Sequence, residues 1–113
     1  MSQFTILETD KFLSDVEDSA VWILESNLEF SEDFAVRKVD EFQEEIEAVK
    51  ERLQSYPESG ESDDIKGVRK LPIYNGRYSL KWIVQIPNKS IILIALSDSK
   101  YPKALRNIQL KDF

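Results

Sequence analysis

The stretch VRKLPIYNGRYSLKWIVQI, residues 68–86, decides the fold. Asn75-Gly76 at its centre is a strong hairpin signal, because a two-residue type I′ turn needs positive φ at both central positions. With those two residues in the turn, Tyr74 faces Arg77, Pro72 faces Ser79 and Lys70 faces Lys81. Side chains alternate along a strand. Tyr78, Leu80, Trp82, Val84 and Ile86 therefore share one face, and Arg77, Ser79, Lys81, Ile83 and Gln85 share the other. The apolar set is expected to pack against helices. The opposite face is expected to gather Lys70, Tyr74, Arg77, Ser79 and Lys81 into a cationic patch, bordered by Lys100, Tyr101, Lys103 and Arg106. Lysines on a sheet also serve simply to blunt edge pairing.

Downstream, Pro87-Asn88-Lys89 supplies a second turn. Ser90 to Leu96 follows as a strand that is apolar on both faces and so is expected to be buried. Pro72 cannot donate to a ladder, which places the strand Val68–Tyr74 at an edge or gives it a bulge. The tail from Pro102 to Phe113 is compatible with a short helix around Ala104–Ile108 or with an extended arm.

Upstream, two amphipathic helices are expected. Phe12, Leu13, Val16, Ala20, Ile23, Leu24 and Leu28 recur at helical spacing, with Asp10 as a capping residue. Ser31 followed by Glu32 and Asp33 is a helix start. Ala35, Val39, Phe42, Ile46, Val49, Leu53 and Tyr56 then form a seam of alternating steps of four and three, which Pro57 ends. The short link near Asn27–Phe30 favours an antiparallel αα-hairpin. Phe4–Leu7 is a short β-prone segment, and Glu58–Asp64 is a polar loop. The expected fold class is α+β: an N-terminal short strand and αα-hairpin packed on a three- to four-stranded antiparallel sheet. Residues 1–113 are expected to form a single domain.

Composition narrows the chemistry. The 113 residues include no cysteine and no histidine. Disulfides and thiolate metal sites are excluded, as are Ser–His and Cys–His nucleophile systems. Glu44, Glu45 and Glu47 lack a metal-ligand spacing, Asp63-Asp64 is equally weak, and neither a metal nor a cofactor is expected. The N-terminus has no basic region and no long apolar run, so neither a signal peptide nor a membrane span is expected, and the location is expected to be cytoplasmic. The net charge of −6 hides a gradient: 5 Lys/Arg against 19 Asp/Glu in residues 1–64, and 10 against 2 in residues 65–113. The acid-rich helices are expected to present solvated faces. The basic back half is where an anionic partner would bind.

The element order and several motifs resemble the RelE/ParE toxin superfamily of bacterial toxin–antitoxin systems. Gly67-Val68-Arg69-Lys70-Leu71-Pro72-Ile73, then Gly76-Arg77-Tyr78-Ser79-Leu80-Lys81-Trp82, then Ile91–Leu96 are similar to that family's G-x-R … G-x-Y-x-I-x-Y … I-x-I-L pattern. Phe12-Leu13 opening the first helix, and Ile46, Leu53 and Pro57 closing the second, match as well. The resemblance implies a toxin-like component of a type II toxin–antitoxin system, neutralised by a cognate antitoxin. Its target would be the ribosome with its mRNA, or DNA gyrase, and no membrane is involved.

In the RelE-like branch the implied activity is a ribosome-dependent endoribonuclease (an mRNA interferase). Lys70, Arg77, Lys81, Lys100 and Tyr101 would be the catalytic set here. Arg69, Tyr74, Ser79, Lys103 and Arg106 would bind RNA or a partner. Lysines and an arginine would stabilise the phosphate charge, while a lysine or Tyr101 would handle the proton. The branch's strand arginine aligns on Ser79, and Ser97-Asp98-Ser99 stand where that branch often has His or Arg. The strand segment is closer to the ParE branch, whose members are associated with gyrase and lack the nuclease set. A fold-retaining, non-toxic binding protein is the third reading.

Overall fold

Both helices begin on a hydroxyl that satisfies free backbone N–H groups, as the first turn of a helix requires. The computed structural model describes residues 3–99. Within them the order is β1 (Thr5–Glu8), α1 (Asp10–Asn27), α2 (Glu32–Ser55), β2 (Glu61–Ser62), β3 (Arg69–Ile73), β4 (Tyr78–Gln85) and β5 (Ser90–Asp98). Thr9, rather than Asp10, caps α1: its Oγ1 accepts from the Phe12 N–H at 3.1 Å. The same hydroxyl donates to the Leu93 carbonyl at 2.9 Å, which ties the helix start to β5. Ser31 caps α2 as expected, accepting from the Phe34 N–H at 3.0 Å.

The strands form one sheet in the order β1-β5-β4-β3-β2. β1 runs parallel to β5 and every other pair is antiparallel. The sheet is thus mixed and five-stranded, one strand more than the widest expectation. Four residues of β1 carry too little pattern to reveal which neighbour they take. β2 is two residues inside the segment expected to be a polar loop. It pairs only with Arg69 and Lys70, so β3 is an edge at Pro72, where no donor is needed.

The hairpin register is the expected one, with Lys70 opposite Lys81 and Pro72 opposite Ser79. The turn is wider. The ladder ends at Ile73–Tyr78, and Tyr74, Asn75 and Gly76 all take positive φ, at 53°, 57° and 80°. Tyr74 and Arg77 therefore leave the alternation that would have put them beside the lysines.

β5 carries a bulge. Lys81 pairs with Ala95 but Trp82 pairs with Leu93, so Ile94 is the extra residue. The shift lets Leu93 and Leu96 both face the helices, while Ile94 and Ala95 join the other side. The main core joins Phe12 and Ile23 of α1 and Phe42, Ile46, Val49 and Leu53 of α2 to Ile73, Tyr78, Leu80, Trp82, Ile91, Leu93 and Leu96 of the sheet. Ile86 does not join it; β4 has ended and the side chain is 60% exposed. A smaller cluster of Val68, Ile94 and Ala95, flanked by Ile65, Ile83 and Ile92, lies on the opposite face. Among the described residues, no helix is long and apolar enough to cross a membrane.

Candidate functional site

Only part of the expected patch assembles. Lys70 and Lys81 are cross-strand neighbours on the face away from the helices. Between them stands Asp63, from the loop that joins β2 to β3. Its Oδ1 accepts from Lys81 Nζ at 2.8 Å and lies 3.8 Å from Lys70 Nζ. The pair is sealed from water: the Lys81 side chain is 7% exposed and that of Asp63 is 4%.

The loop is built to deliver that carboxylate. The Asp63 N–H donates to the Val68 carbonyl at 2.8 Å, and Val68 N–H donates to Ile65 O at 3.1 Å. The Ile65 N–H returns to Asp63 Oδ2 at 3.2 Å. Ile65 and Val68 then pack on Ile94 and Ala95 beneath. Burial acts to raise the Asp63 carboxyl. The hydrogen bonds from Lys81 and Ile65, with the charges of Lys81 and Lys70, outweigh it and leave the group below its ordinary value. Residues 61–66 thus form a strap across the open face, and one of the two lysine charges under it is already paired.

The remaining expected residues go elsewhere. Arg77 turns to the helix side, where its guanidinium lies 4.0 Å from the ring centroid of Trp22 on α1. It also makes a two-pronged pair with Asp98, at 3.0 and 3.1 Å. Tyr74 packs edge-on against Phe42 of α2 with centroids 5.8 Å apart, and its N–H donates to both oxygens of Glu45 at 3.0 Å. Arg69 donates to the carbonyls of Glu58 and Gly60, at 2.8 and 3.2 Å, and so holds the loop after α2. Ser79 stays on the open face, half-buried opposite Ser97. Lys100, Tyr101, Lys103 and Arg106 lie outside the described residues.

Sequence reasoning passed over Asp63 as an unremarkable loop acid. Its signal was position alone: a carboxylate in the loop where the charge changes sign, a few residues before Lys70. It also took the helix acids as solvated. Asp15 of α1 instead accepts the Leu96 N–H at 3.0 Å, next to the β5 bulge. Among the described residues, no group of three or more acidic side chains is placed to hold a metal ion.

An αα-hairpin on a five-stranded sheet, with its helices on one face and the N-terminal strand parallel to the last, defines the class of fold. No protein-family model and no curated protein matches the chain. Among solved structures it is similar to the chromosomal ParDE toxin–antitoxin system from P. aeruginosa. That match has a TM-score of 0.61 and 20% identity over 84% of this chain and 95% of the other. It is also similar to a double arginine-to-alanine variant of E. coli toxin RelE in the free state. There the TM-score is 0.58 at 12% identity, over 96% of this chain and the whole of the other. The fold is that of the RelE/ParE toxins, as the motifs led one to expect.

Proposed function

We propose that this chain is the toxin-like component of a type II toxin–antitoxin system, and that it acts by binding its target rather than by cleaving RNA. The fold supports the first half. The observation that carries the second is the Asp63–Lys81 pair. A cluster of free cations is what would stabilise a phosphorane-like charge and help a lysine act as a base. Here one lysine faces a buried carboxylate, the other lies within its field, and Arg77 is on the far side of the sheet paired with Asp98. The helical half, net negative by 14 charges over residues 1–64, also opposes a polyanion.

The test is inducible expression of the full chain in bacteria. Growth arrest with intact mRNA by primer extension, relieved by co-expressing a cognate antitoxin, is the expected result. Ribosome-dependent cleavage that disappears in Lys81→Ala would overturn the binding mechanism. Absence of arrest would leave a fold-retaining, non-toxic binder. Pull-down from the arrested cells then separates the two targets the resemblance implies, the ribosome and DNA gyrase.

A further inference from the structure

The strap has the composition of a ligand. Its alternate residues point inward: Asp63 to the two lysines, and Ile65 to the Ile94–Ala95 shelf. Glu61, Ser62, Asp64 and Lys66 are exposed. It makes no contribution to the main core, which lies on the other face of the sheet. Glycines with φ of +77° and +86° bracket it at Gly60 and Gly67. At Gly60 an added Cβ would stand 2.2 Å from the Lys70 carbonyl oxygen, so that end is anchored against β3; at Gly67 an added Cβ would meet nothing within 4 Å.

We propose that the strap is an internal stand-in for a partner segment: when it lifts, the Lys70–Lys81 face takes an extended stretch of a partner protein carrying an acidic residue and, two positions on, a β-branched aliphatic. The inference rests on the reading that this chain works by binding. The shelf of Ile83, Ile92, Ile94 and Ala95 beside the lysines favours such a peptide over RNA, whose unmodified bases carry no aliphatic group to bury there. Exchange of one carboxylate for another leaves the Lys81 ammonium paired in both covered states, which a low-dielectric site demands.

The experiment opens the strap in the full chain with Asp63→Asn and Ile65→Ser. It then supplies the blocked peptide ESDDIKGV, residues 61–68, from solution. The opened chain should bind this peptide at least about tenfold more tightly than the wild type does, the weight of a charge-assisted hydrogen bond. The same peptide with Asp63→Asn should lose that gain, and Lys81→Met in the opened chain should abolish it. A folded opened chain with no preference for the peptide overturns the proposal, as does one that binds octauridylate instead.

Hydrogen exchange on the wild type serves where the opened chain does not fold. The Asp63, Ile65 and Val68 amides should exchange well ahead of the β4–β5 ladder through local opening. Equal protection would mean that the strap does not lift. These readouts are independent of growth arrest, so failure of the toxin reading and failure of this one are told apart.

Discussion

Two carboxylates of the helices hold sheet backbone; on the open side, one holds buried side-chain charge. Asp15 and Glu45 reach from α1 and α2 to the N–H groups of Leu96 and Tyr74. Both N–H groups sit where the sheet ladder is interrupted, near a bulge and at a hairpin turn, and each needs an acceptor. Asp63 meets two ammonium groups on the opposite face. The chemical demands differ. A backbone N–H is neutral and donates to any oxygen of the right geometry. A buried ammonium needs negative charge.

That contrast sets the order of expected effects. Asp63→Ala leaves Lys81 buried without its counter-ion and should cost about 3 kcal/mol in denaturant unfolding. The joint change Asp63→Leu with Lys81→Met should recover most of that loss, because it removes the desolvated charge along with its partner. A cost for Asp63→Ala no larger than that of an exposed pair would end the contrast, since it would mean that Lys81 reaches water.

Gly60→Ala is next. The residue would enter at positive φ and press on the Lys70 carbonyl, at a cost of about 2 kcal/mol in the same measurement. The strap's anchored end would shift with it. Asp15→Ala orphans the Leu96 N–H and should cost about 1.5 kcal/mol, while Asp15→Asn should cost far less, because the amide oxygen still accepts. The same comparison at position 63 should go the other way, with Asp63→Asn nearly as costly as Asp63→Ala. Similar losses for the two asparagine variants would break the distinction between the faces.

The smallest effect is on pH dependence. The Asp63 carboxyl lies below its ordinary value of 3.8 in the folded chain. Its contribution is therefore present in full above the unfolded-state value, and it is lost as pH falls through the lowered folded one. Acid unfolding of the wild type should show this extra loss, and the Asp63→Leu/Lys81→Met chain should not. Superimposable acid profiles would show that Asp63 titrates alike in the folded and unfolded chain.

Much of the fold was legible because it is periodic. The seam from Ala35 to Leu53 is buried or, at Val39, partly buried as its spacing required, while its expected last member, Tyr56, lies past the helix end and is 68% exposed; Ser31 and Pro57 bound α2. The pairing of Lys70 with Lys81 followed from Asn75-Gly76 even though the turn proved wider, because alternation propagates along the ladder from any correct pair. The site was less legible. Alternation predicts a face only while the residue is in the ladder. Tyr74 and Arg77 are in the turn, so their side chains went to Phe42 and Trp22 instead. Partners distant in sequence leave no local pattern either, which is why the roles of Asp15 and Glu45 were invisible.

The sequence by itself determined the helices, the register of the β3–β4 hairpin and the gathering of positive charge in the back half, since each depends on spacing or counting along the chain. Only the tertiary structure decided which of that charge is paired. Asp63 and Lys81 are 18 residues apart and meet because a strap between two left-handed glycines crosses the sheet. Whether a cation is free or already paired depends on what folds over it. A carboxylate 2.8 Å away leaves Lys81 paired and buried, which no local pattern in the sequence announces.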